Sequence, residues 1–121
     1  MSPHPIVHIE LSANNLASAA QFYKELFGWQ VQSQPELNYA TWDPGEGPGG
    51  GFNPTGTNTT PGTVTVYVGT DDIEATLNRI EELGGSTVYP KTEIPNMGWF
   101  AMFKDPTGNV LGLYTGMQQS T

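Results

Sequence analysis

From Ile6 to Ser12 the chain alternates: Val7, Ile9 and Leu11 fall on one side, and Ile6, His8, Glu10 and Ser12 on the other. A period of two marks a strand with one covered, apolar face and one mostly polar face. The pattern then changes to helical spacing. Asn14 or Asn15 can accept the free N–H groups of a helix start, and Leu16, Ala19, Phe22, Tyr23 and Leu26 form a stripe that runs to about Phe27. Gly28 follows as a left-handed stop.

The same events recur in the second half. Val64, Val66 and Val68 alternate with Thr63, Thr65 and Tyr67; Asp71 is the expected cap, with Glu74 completing a box-like start. Ile73, Leu77, Ile80 and Leu83 make the stripe, and Gly84-Gly85 end the helix. The two passages superpose at a constant shift of 57 residues, which sets Ile9 on Val66, Asn14 on Asp71, Leu16 on Ile73 and Gly28 on Gly85. Caps, stripes and stops agreeing at one offset point to an internal duplication.

Each helix is followed by three strand-like pieces, about 29–34, 37–42 and 51–54 in the first half and about 86–91, 97–104 and 109–115 in the second. Asp105-Pro106-Thr107-Gly108 has the residues of a tight turn and makes 97–115 a hairpin. The expectation is a single α+β domain of two βαβββ modules, about 5–54 and 63–116, joined by a Thr/Gly/Pro-rich linker at about 55–62, with curved sheets enclosing a cleft.

In a βαβββ unit the helix covers one face of the sheet and leaves the other open. With Val7, Ile9 and Leu11 toward the helix, His8, Glu10 and Ser12 point to the open face. A polar set there calls for water or a ligand, because burying it unpaired is costly. His8 and Glu10, about 7 Å apart along a strand, can chelate a metal together, work as an acid–base pair, or line a wet pocket. Tyr67 and Tyr114 share the open-face parity of Thr65 and Gly112, while Trp42, Phe52, Trp99 and Phe103 lie on elements that would shape the pocket, their facing open between pocket and core. Such rings offer a flat apolar or cationic ligand surfaces to stack on.

Two other features read more simply. His4 sits between Pro3 and Pro5, which argue against a helix that would bring it to His8, and it is expected to be solvated. The glycine-rich run 43–51 has no Gly-Lys-Ser/Thr and holds Glu46, so it reads as a flexible loop able to act as a lid rather than as a phosphate cradle.

Composition narrows the partners. Twelve acidic residues against four basic ones give a net charge of −8. Such a surface repels phosphate backbones and anionic lipid, so neither nucleic acid nor membrane is expected as a partner. The absence of cysteine removes disulfides, thiolate ligands and cysteine nucleophiles. Met1–Pro5 lacks the basic start and apolar run of a signal peptide, and no stretch approaches the ~20 apolar residues of a membrane span. The expected location is cytoplasmic.

The string Phe22-Tyr23-Lys24-Glu25-Leu26-Phe27-Gly28-Trp29 resembles the helix end of the vicinal oxygen chelate superfamily, which includes glyoxalase, bleomycin-resistance and extradiol-dioxygenase proteins. Phe103-Lys104-Asp105-Pro106-Thr107-Gly108-Asn109 resembles its closing hairpin. The resemblance spans nearly the whole chain and implies the paired-βαβββ fold, a small-molecule ligand and, homodimers being common among such proteins, a homodimer.

It also implies, for metal-dependent members, a His, Glu, His, Glu set drawn from the first and last strands of each half. The first His falls on His8, its counterpart on Thr65, the closing Glu on Gly112, and the remaining position in about 52–55, where Asn53 is the one polar amide. One good ligand of four is too few for a catalytic divalent site. The reading is therefore a metal-free small-molecule binding protein with no cofactor. Its pocket is drawn from His8, Glu10, Ser12, Trp42, Phe52, Thr65, Tyr67, Trp99, Phe103, Gly112 and Tyr114. The alternative is a lyase-, isomerase- or dioxygenase-like enzyme in which His8 works with a divalent metal or with Glu10 as acid–base partner.

Overall fold

A computed structural model describes residues 3–55 and 60–117. The described residues form eight strands and two helices in the order β1 (Ile6–Ala13), α1 (Leu16–Phe27), β2 (Gln30–Gln34), β3 (Tyr39–Asp43), β4 (Gly49–Pro54), β5 (Val64–Gly69), α2 (Ile73–Glu82), β6 (Ser86–Ile94), β7 (Gly98–Lys104) and β8 (Val110–Gly116). A 3-10 turn at Pro35–Leu37 precedes β3. This is the α+β class, built as βαβββ twice. Of the expected linker at 55–62, residues 56–59 lie outside the described residues. No helix among the described residues is long and apolar enough to cross a membrane.

The chain divides into two compact units, Val7–Val66 and the chain from Tyr67 onward together with the N-terminal residues up to Ile6. In the first, the strand order is β2-β3-β4-β1. β1 runs parallel to β4, with Glu10 opposite Gly51, and β3 is antiparallel to both β4 and β2. The second unit repeats the scheme as β6-β7-β8-β5: β5 is parallel to β8, with Tyr67 opposite Gly112, and β7 is antiparallel to β8 and β6. Pro5 and His4 belong to this second unit, where the Gly69 N–H donates to the Pro5 carbonyl at 2.8 Å and His4 Nδ1 bonds the Gly69 carbonyl at 3.0 Å. His4 is thus exposed yet tied down.

Each helix starts on a side-chain cap. Asn15 Oδ1 accepts from the Ser18 N–H at 2.9 Å, and Asp72 Oδ1 from the Ala75 N–H at 3.0 Å. The second cap is Asp72 rather than Asp71, a one-residue correction that keeps the 57-residue offset from Asn15. α1 stops on left-handed Gly28; α2 stops at Leu83, with Gly84 the left-handed residue (φ 100°).

The first core gathers Ala13, Ala40, Trp42 and Phe52, with Ile9, Leu11, Leu16, Ala19, Tyr23, Trp29 and Val31 packed on it. Trp29 stacks on Trp42 at 4.2 Å between centroids, and Tyr23 on Phe52 at 5.6 Å. Phe22 and Leu26, expected in the stripe, stay exposed, and Leu16, Ala19 and Tyr23 are the α1 residues packed on this core. Ile73, Leu77, Ala101 and Leu113 form the second core, flanked by Val68, Ile80, Trp99 and Phe103, and Leu83 is exposed.

The hairpin between β7 and β8 is held by one carboxylate. Asp105 accepts from the Asn109 side chain and N–H at 3.0 Å each, and from the Thr107 hydroxyl and N–H at 2.8 Å each. Those donors, Asn109's side chain foremost, lower its pKa to about 2.

Candidate functional site

The strand alternation of β1 decides what reaches each face of the first unit. Ile9 and Leu11 pack into the core under α1, so His8 and Glu10 emerge on the opposite face. There His8 Nε2 meets Glu10 Oε2 at 2.5 Å. The Tyr39 hydroxyl donates to the same Glu10 oxygen and lies 3.1 Å from His8 Nε2. Two titratable side chains, His8 from β1 and Tyr39 from β3, therefore converge on one oxygen of Glu10. The Glu10 side chain is 12% exposed and the His8 side chain 30%, so His8 is the member turned outward.

Glycines make this possible. Gly49, Gly50 and Gly51, expected in the flexible loop, are the first residues of β4, and only 44–48 remain as loop. A Cβ on Gly51 would overlap the Tyr39 hydroxyl and ring and would lie 2.7 Å from Glu10 Oε2. A Cβ on Gly50 would overlap the Ile9 carbonyl and the Trp42 ring on the other face. β3 thus sends Trp42 over Gly50 toward the core and Tyr39 over Gly51 toward the site. Trp42 Nε1 also donates to the Gly51 carbonyl at 3.1 Å.

Several expected pocket residues lie elsewhere. Trp42 (5% exposed) and Phe52 (0%) belong to the first core, because Ala40, Trp42 and Phe52 share the helix-side parity of their paired strands. Trp99 and Phe103 pack on the second core, in step with Ala101 between them; Lys91 Nζ sits 5.4 Å above the Trp99 ring. Ser12 spends its hydroxyl on the chain, accepting from the Gly62 N–H at 3.0 Å. Thr65 is half-buried in β5.

On the second unit the structure joins Tyr67 to Gly112: a Cβ at 112 would overlap the Tyr67 ring and approach its Cγ to 2.8 Å. Register sets Met102 opposite Gly112 and Phe100 opposite Tyr114, so these two, rather than Trp99 and Phe103, share the face of Tyr67. Tyr89 stacks on Phe100 at 5.6 Å, and the Tyr114 hydroxyl donates to the Met97 carbonyl at 2.8 Å.

Tyr39, Gly51, Phe100 and Met102 were not singled out from the sequence. For Phe100 and Met102 the alternation of β7 gave no signal, because large apolar residues occupy both of its faces; Ala101 marks the core side only through its burial. Tyr39 gave none, since it reaches the site from two strands away.

The family model for the Glyoxalase/Bleomycin resistance protein/Dioxygenase superfamily matches residues 5–113. The chain belongs to this superfamily. Among similar proteins, this superfamily member is 29% identical to the anthracycline biosynthesis protein DnrV of Streptomyces peucetius over 87% of its own length and 44% of that protein. It spans less than half the length of the curated relatives it matches. Solved structures with its fold include hypothetical protein BH1468 of Bacillus halodurans (TM-score 0.77, 13% identity, 99% of both chains). Methylmalonyl-CoA epimerase of Mycobacterium tuberculosis is another (TM-score 0.73, 14% identity, 94% of this chain and 89% of that one).

The metal set that the resemblance implies does not fit the residues of this member. Register makes Gly51, beside Glu10, the counterpart of Gly112, beside Tyr67, so the remaining ligand position is Gly51 rather than 52–55. Both positions lack a side chain, and a tyrosine occupies the space of each missing Cβ. Among the described residues no group of three or more His, Asp or Glu could hold a metal ion.

Proposed function

We propose that this superfamily member binds a small organic molecule, without a divalent metal, on the open face of its first unit. One observation carries the reading: Glu10 Oε2, in a side chain only 12% exposed, takes both His8 and Tyr39, leaving the more exposed imidazole as the outward group. Two partners hold that carboxylate in place before any ligand arrives, and a pre-held polar group lowers the ordering cost of binding. The net charge of −8 favours a neutral or cationic ligand.

Titration calorimetry against planar cations and hydrophobic antibiotics, an anthracycline among them in view of the relative DnrV, tests this. At least one compound is expected to bind, and His8→Ala is expected to weaken it about tenfold, the loss of one charge-assisted hydrogen bond. Silence across the panel overturns the proposal.

A second reading has its own support. A carboxylate that accepts from both an imidazole and a phenol can pass a proton between them, which suits a lyase- or isomerase-like reaction with His8 as acid–base group. Exchange of a carbon-bound proton with deuterated water, tried on carbonyl compounds with an acidic neighbouring C–H, would favour this reading if it stops in His8→Ala.

A further inference from the structure

We infer that Tyr39 is the positioning residue of the His8–Glu10 pair, seated where a side chain from position 51 would otherwise reach it. The inference rests on the reading that this face is the binding face.

Gly51 stands directly beside Glu10 in the parallel ladder, and Thr41 stands beside Gly51 in the antiparallel one. Tyr39, two residues before Thr41, points to the same face, and its ring crosses above Gly51 to bring the hydroxyl onto Glu10. Any Cβ at 51 would occupy the place of the hydroxyl and its ring carbon. A residue at 51 and the Tyr39 hydroxyl are therefore mutually exclusive partners for the His8–Glu10 pair. An acidic side chain at 51 would make a three-ligand set of His8, Glu10 and residue 51. The glycine admits a phenol instead, and the outcome is a hydrogen-bonded trio.

The choice has a chemical consequence. A metal approaching His8 Nε2 must displace Glu10 from it at 2.5 Å and then finds two ligands, below the three that a divalent site needs. With Tyr39 donating to Glu10, the carboxylate is held toward the imidazole rather than turned outward. Tyr39 thus assigns His8 and Glu10 to hydrogen bonding, not chelation.

The experiment titrates nickel(II) alone by calorimetry into tag-free protein, as wild type, His8→Ala, Tyr39→Ser plus Gly51→Glu, and that pair with His8→Ala. Wild type and His8→Ala are expected to bind nickel equally weakly. The Tyr39→Ser plus Gly51→Glu protein is expected to bind about tenfold or more tighter than its His8→Ala version, the size of effect that ligand surroundings exert on metal affinity. Clearly tighter binding by wild type than by His8→Ala overturns the inference, as does equal binding by the two redesigned proteins.

Should the redesigned chain not fold, Gly51→Ala supplies the second arm. It is expected to lower the melting temperature in the wild-type background and to have no such effect in a Tyr39→Ser background; equal losses in both overturn the inference. None of these readouts uses the organic ligand. A silent compound panel with the nickel result as expected would therefore sink the proposed function and leave the role of Tyr39 standing.

Discussion

Trp42 donates its indole N–H to the carbonyl of Gly51 across 3.1 Å, tying the packed face of the first unit to its polar face. The same glycine whose missing side chain admits Tyr39 has its backbone held by a core tryptophan. Trp42 is 5% exposed and stacked on Trp29, so its position is set by packing and is passed to β4 through this bond.

Replacing Trp42 with Phe removes the donor and part of the stacked ring while keeping the residue apolar. The lost hydrogen bond and lost packing predict a destabilisation of about 1–3 kcal/mol, read from the urea midpoint. A loss below about 0.5 kcal/mol, the usual range of neutral surface changes, would show that the bond contributes nothing.

The helix caps give a test that separates adjacent residues. Asn15→Ala and Asp72→Ala each remove an oxygen that accepts a first-turn N–H, and each is expected to cost about 1 kcal/mol. Asp71→Ala, one residue outside the cap, is expected to stay within about 0.5 kcal/mol of wild type. Reversal of the Asp71 and Asp72 effects in thermal melts would restore Asp71 as the cap.

Asp105 sets a pH dependence. Its pKa is lowered to about 2 in the folded hairpin by donors from Asn109 and Thr107, whereas an unfolded Asp binds its proton nearer 3.8. A depressed carboxylate pKa adds stability that is complete above the unfolded value and is lost as pH falls toward the folded one. Carboxyl-detected NMR is expected to show Asp105 titrating near pH 2, and Asp105→Asn to remove this contribution between about pH 4 and pH 2. Titration at an ordinary carboxylate pH would contradict the hydrogen-bonded turn.

Much of this architecture was readable before any coordinates. Alternation in β1, the stripes of α1 and α2, and the Asp-Pro-Thr-Gly turn are local signals, and local signals place elements well. The 57-residue offset made the halves legible together, and the caps Asn15 and Asp72 keep it. Facing was harder. Gly49–Gly51 carries no side chains to alternate, so the start of β4 read as loop and only 51–54 as strand, and with the missing part went the register that puts Trp42 and Phe52 in the core. Trp99 and Phe103 share β7 with Phe100 and Met102, and a strand with large apolar residues on both faces has no period to read. His8 and Glu10 were found because they share a strand. Tyr39 joins them only through the register of β3 on β4 on β1, a long-range fact that no window of sequence contains.

Metal independence of ligand binding separates a hydrogen-bonding face from a chelating one. Tag-free protein would be analysed for bound metals, then titrated with its tightest organic ligand before and after exhaustive chelation, alongside His8→Ala. Unchanged affinity after chelation and weaker binding by His8→Ala are expected. Binding that disappears on chelation and returns with an added divalent ion would contradict metal-free binding.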